Sequence, residues 1–75
     1  MQPISDSKSL GERIRKERKA QHLTQEQLAG LTGVGVRFVR ELEAGKESCR
    51  LGLALQVTAA LGLTLSVSGR RESDA

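Results

Sequence analysis

Between Gly35 and Ala44 the chain reads GVRFVRELEA, and Arg37 and Arg40 stand three apart, a spacing that turns both to one side of a helix. A guanidinium fork matches the O6 and N7 acceptors of guanine, and a branched aliphatic such as Val36 packs on a thymine methyl group. Arg37 is therefore the first candidate for a base contact. Arg40 is the second, with a phosphate as its alternative, and Glu41 lies at the margin of the same face. Thr24, Gln25, Gly35 and Lys46 flank this stretch and are the candidate phosphate contacts, because free amides and the dipole at a helix start suit an anion. Lys46 fits plain solvation equally well. No comparable set exists for catalysis: one histidine, His22, one cysteine, Cys49, and no glycine-rich phosphate loop leave no nucleophile with a base. No enzyme activity, cofactor or metal site is expected.

Those side chains need two short helices held across a tight turn. Thr24 and Gln27 have capping-box spacing, so each side chain satisfies a free backbone donor at a helix start. Leu28 and Ala29 then face inward, and Ala29 is small enough for two helices crossing steeply to approach closely. Gly33 supplies the turn with a positive φ, Val34 closes it against the core, and a second helix over 35–44 ends at Gly45. Val39 and Leu42 form its buried stripe. The opposite side carries Val36, Arg37 and Arg40 on a cylinder narrow enough for a major groove of about 12 Å. Phe38 fits either the joint between the helices or the sugar edge of DNA, and the joint is favoured.

Gln25, Ala29, Gly33, Val39, Leu42 and Glu43, with the Leu-Glu-x-Gly ending at Gly45, resemble the helix-turn-helix of the phage lambdoid repressor and Cro (XRE) superfamily. The spacing matches without a gap. Within it, residues 10–67 are most similar to HipB-type antitoxins, short bacterial repressors that bind operator DNA and also a kinase-like HipA toxin. The resemblance implies an all-α, lambda-repressor-like bundle with a short C-terminal β-strand in an intermolecular sheet. It also implies a homodimer that represses its own toxin-antitoxin operon from a palindromic double-stranded site and neutralises a HipA-like kinase toxin in the bacterial cytoplasm, associated with the nucleoid. A stand-alone phage-type repressor or a restriction-modification controller shares the motif and needs no toxin. One departure is Gly35, where the family places a polar cap such as serine; glycine there weakens the helix by only a few tenths of a kcal/mol. The resemblance further places Arg18 in an ion pair with Glu43. An exposed arginine with its stem on the core is the other reading.

Seventy-five residues make one small domain, near the size at which a single core is only marginally sufficient. Help from a second chain is expected. A lone cysteine excludes an internal disulfide and a zinc ligand set and suits a reducing cytoplasm. No apolar run approaches the roughly 20 residues of a membrane span, and no signal-peptide pattern opens the chain, so a soluble protein is expected. The net charge is +3, and Arg13, Arg15, Lys16, Arg18 and Lys19 crowd one span. That cluster is either a solvated helix face or an aid to binding a polyanion, and its place beside the motif favours DNA. With Phe38 as the single aromatic, base-stacking platforms are excluded and duplex DNA is favoured over RNA.

Along the chain, residues 1–8 read as a flexible arm and 9–62 as the helix-turn-helix domain. Ser9 and Glu12 have capping-box spacing for a first helix ending near Gln21, with Leu10, Ile14 and Arg18 on its inner side. A last helix carries Leu51, Ala54, Leu55, Thr58 and Leu61 as its stripe, widened by Leu53 and Val57, and closes at Gly62. In 63–68 the period changes to two: Leu63, Leu65 and Val67 alternate with polar residues. A lone strand has no sheet to join, so the same strand of a second copy is the expected partner, with a frayed tail as the alternative. Residues 69–75 read as a flexible tail.

Overall fold

The computed structural model describes residues 3–70, which form four helices: α1 (Ser7–Ala20), α2 (Gln25–Thr32), α3 (Val36–Glu43) and α4 (Leu51–Ala60). Met1, Gln2 and residues 71–75, parts of the expected arm and tail, lie outside the described residues. Helix α1 packs on α3, α3 on α2 and α2 on α4. Ile14, Leu28, Ala29, Val39, Leu42, Ala54, Val57 and Leu61 meet between them as the core.

Helix α1 begins earlier than the sequence predicts. Asp6 is its cap: Ser9 N–H donates to Asp6 Oδ1 at 2.7 Å, and the Ser9 hydroxyl oxygen accepts from Asp6 N–H at 3.2 Å. Ser9 therefore answers a cap three residues upstream instead of forming one with Glu12, and Ser7 and Lys8 are helical. The backbone hydrogen bond from Ser9 holds the Asp6 carboxyl below its ordinary pKa. The inner side of α1 carries Ile14 and Arg18 as read, and Gly11 in addition. At Gly11 the helices nearly touch: an added Cβ would stand 2.4 Å from the Leu42 carbonyl oxygen and 2.7 Å from that of Glu43.

Helix α2 starts on the expected Thr24 and Gln27 box, with hydrogen bonds of 3.0 and 2.8 Å, and stops at Gly33 with φ 77°. The ends of α1, α3 and α4 share one stopping device, in which two successive amides after the helix turn back onto its last carbonyls and the first of them is left-handed. In α1 these are His22 and Leu23, bonded to the carbonyls of Lys19 and Arg18; in α3, Gly45 and Lys46, bonded to those of Leu42 and Glu41. In α4 they are Gly62 and Leu63, bonded to those of Ala59 and Thr58. His22 adopts φ 59° without being glycine, in a link that leaves its side chain exposed.

The α4 stripe is corrected. In α4 the buried residues are Ala54, Val57 and Thr58, whereas Leu51 is 70% exposed and Leu55 is also exposed. The helix has no charged residue, so apolar period alone cannot choose which side meets α2. Thr58 is tolerated inside because its hydroxyl donates to the Ala54 carbonyl at 2.8 Å. The expected strand belongs to two chains and not to one. Residues 63–68 form no strand in this chain: Leu63 packs against the core, Leu65 is exposed and Val67 is 97% exposed. A strand exists only through its ladder, and among the described residues this segment has no neighbour that completes one.

Candidate nucleic-acid interface

The outward face of α3 follows from what lies beneath it. Val39 and Leu42 are buried, so Arg37 and Arg40 stand out on the opposite side, Arg37 with 88% of its side chain exposed. Val36 was expected on the same face but is half-buried and packs against the core, so it presents only part of its surface outward. Phe38 also packs against the core and is half-buried. Gly35 caps α3 without a side-chain hydrogen bond. The helix start is thus left with amides open to an anion.

Helix α3 is held from behind by one polar cluster. Arg18 Nε donates to Glu43 Oε2 at 2.6 Å and its Nη2 to Glu43 Oε1 at 3.0 Å, with 10% and 3% of the two side chains exposed. Arg18 Nη1 closes onto the Leu23 carbonyl at 2.8 Å, which ties the turn after α1 to the same group. The hydrogen bonds to Glu43 push the Arg18 pKa up, so the guanidinium stays charged. Gln25 enters this cluster as well: its Nε2 donates to Glu43 Oε1 at 3.2 Å. The sequence reading assigned Gln25 to phosphate alone. An amide nitrogen carries two hydrogens, so one bond to Glu43 leaves the second for another acceptor. Thr24 has its hydroxyl oxygen engaged in the cap, with the hydroxyl proton still available.

At the other end of α3, Glu41 gathers the charges. Lys46 Nζ donates to Glu41 Oε2 at 2.7 Å, and Arg37 Nε lies 4.0 Å from the same oxygen. The Lys46 hydrogen bond, ahead of the charge of Lys46 and Arg37, lowers the Glu41 pKa and keeps it ionised. The sequence offers Lys46 for phosphate or for plain solvation, and the structure adds a third state, the ion pair with Glu41. For Arg37 and Glu41 the sequence carries a signal, since they are four apart on one helix; for Lys46, beyond the Gly45 turn, it carries none. The basic cluster of α1 also divides: Arg13 pairs with Glu17 at 3.2 Å, Arg18 is buried, and Arg15, Lys16 and Lys19 face solvent.

A family model described as helix-turn-helix, HTH_3, matches residues 14–67. The chain belongs to the HTH_3 helix-turn-helix family. The uncharacterized HTH-type transcriptional regulator y4mF of Sinorhizobium fredii (strain NBRC 101917 / NGR234) is 42% identical over 64 residues, which cover 85% of this chain and 84% of that protein. The HTH_3 fold here is that of HipB. The solved HipB-O4 20mer complex superposes with a TM-score of 0.84 at 18% identity over 93% of this chain and 99% of that one. The HipA-HipB-O2-O3 complex gives the same score, identity and coverage. As an HTH_3 member this chain is a DNA-binding transcriptional regulator, and α2, the Gly33 turn and α3 are its helix-turn-helix. No helix among the described residues is long and apolar enough to cross a membrane.

Proposed function

We propose that this regulator is a sequence-specific repressor of its own operon, that it works as a homodimer in the bacterial cytoplasm, and that it is the antitoxin of a HipA-like kinase toxin. One observation carries the base-reading part: Arg37 projects from α3 with 88% of its side chain exposed while Val39 and Leu42 anchor the opposite side. In this reading Arg37 takes a guanine edge, Arg40 a second base or a phosphate, and the exposed part of Val36 a thymine methyl. Thr24, the second amide hydrogen of Gln25, the start of α3 at Gly35, and Lys46 meet phosphates. HipB is found in complex with HipA, and likeness of fold supports extending such a partner to this chain.

The experiment is footprinting on the chain's own upstream region, followed by titration of the protected duplex and a scrambled one. A palindromic footprint with half-sites about 34 Å apart is expected. Arg37→Ala should weaken the footprinted duplex by about 1 to 3 kcal/mol and the scrambled duplex far less. Equal losses on both would show that Arg37 reads no base.

Residues 63–68 support the dimer. Leu65 and Val67 are exposed apolar side chains on a segment that has no strand partner among the described residues, while Leu63 already rests on the core. Antiparallel pairing with the same segment of a second copy completes the ladder and covers these side chains. Sedimentation should report about twice the 8.1 kDa chain mass for the natural protein. A Leu65→Asp, Val67→Asp double variant should run as a single copy with its helical signal intact. A double variant that still sediments as two copies would place the interface elsewhere.

A further inference from the structure

Glu41 is an unexpected group for a face that meets a polyanion. It sits on α3 between Arg37 and the loop that carries Lys46, with 31% of its side chain exposed, and its Oε2 binds Lys46 at 2.7 Å and lies 4.0 Å from Arg37. This is a built arrangement. The turn after α3 brings the Lys46 amide onto the Glu41 carbonyl at 3.0 Å, so the lysine is joined to Glu41 by backbone and side chain together. That turn depends on Gly45, with φ 83° and with Lys8 Cα 2.8 Å from where a Cβ would stand.

Resting on the DNA-binding reading above, we propose that Glu41 determines specificity by holding Lys46 and Arg37 back from backbone phosphates and repelling any duplex that offers its carboxylate no donor. Non-specific binding is almost entirely phosphate contact and counterion release. A scrambled duplex must therefore draw Lys46 off Glu41 and bring a carboxylate toward phosphates. In the matching site the exocyclic amino group of a cytosine donates to Glu41 and releases Lys46 to its phosphate, while Arg37 turns to its guanine. The repulsion thus acts mainly on the wrong partner, which is how a like charge raises selectivity.

The test uses the full chain and Glu41→Gln, titrated on the footprinted duplex and on a scrambled duplex of equal length over a series of salt concentrations. The variant is expected to bind the scrambled duplex about tenfold tighter, with a salt dependence steeper by about one as the released Lys46 displaces a counterion. Affinity for the footprinted duplex should change by less than about threefold, so the discrimination ratio falls. Glu12→Gln adds the same charge on exposed α1 and is expected to leave that ratio as it is. The proposal is overturned if Glu41→Gln leaves scrambled binding and its salt slope unchanged, if both duplexes gain alike, or if Glu12→Gln lowers the ratio equally. A natural protein that binds neither duplex overturns the DNA reading itself; one that discriminates normally beside an unaltered Glu41→Gln overturns only the role of Glu41.

Discussion

Arg18→Ala is expected to lower the melting temperature by at least about 12 °C. Removing one partner of a buried ion pair costs about 3 to 5 kcal/mol, and in a chain of this length each kcal/mol moves the midpoint by about 4 to 8 °C. The full effect is expected because Glu43 is 97% shielded, its side chain being only 3% exposed, and loses both short guanidinium bonds. Among the described residues, the Gln25 amide at 3.2 Å is then what remains on its carboxylate. The Leu23 carbonyl also loses its arginine donor, which loosens the turn into α2. Thermal unfolding followed by circular dichroism measures the change. A double variant, Arg18→Leu with Glu43→Leu, should recover most of the loss, since a buried pair replaced by apolar residues of similar volume is often neutral or better. The pair then serves mainly to set the angle at which α3 leaves the core. A midpoint within a few degrees of the natural protein for Arg18→Ala would show that the charge is not buried in solution.

Gly11→Ala is the second. In a helix interior this change ordinarily helps by about 0.5 to 1 kcal/mol. Here the new methyl meets the Leu42 and Glu43 carbonyl oxygens at 2.4 and 2.7 Å, and both belong to backbone that no rotamer change can move. Overpacking of this kind typically costs about 1 to 3 kcal/mol, so a net loss is expected. It should reach DNA binding too, because the displaced backbone is the end of the helix that carries Arg37, Arg40 and Glu41. Gly30→Ala provides the contrast: it lies inside α2 with nothing within 4 Å of its would-be Cβ, and should gain stability. Equal midpoints for Gly11→Ala and Gly30→Ala would contradict the close approach of α1 and α3.

The pair of helices at the centre was legible because its rules are local. A cap spaced three apart, a glycine able to take φ 77°, and an apolar pair under two arginines each act within a few residues, and no distant contact can cancel them. The start of α1 was misread for a related reason. Two spacings, Asp6 with Ser9 and Ser9 with Glu12, compete there, and the upstream one gains additional helical turn. The carboxylate partners of Gln25 and Lys46 are not legible in the sequence because Glu43 and Glu41 stand on another element or across a turn.

What the sequence by itself determined is the motif: two capped or glycine-closed helices, their inward residues, and the cations on the outer side of the second. What only the tertiary structure decided is which side of α4 is covered, how near α1 comes to α3 at Gly11, that Glu43 is shared by Arg18 and Gln25, and that residues 63–68 have no ladder of their own. The division follows the range of the forces. Capping and helical period act along neighbouring residues, whereas burial and ion pairing depend on which surfaces the folded chain brings together, and an uncharged helix such as α4 offers several faces that would satisfy the same period.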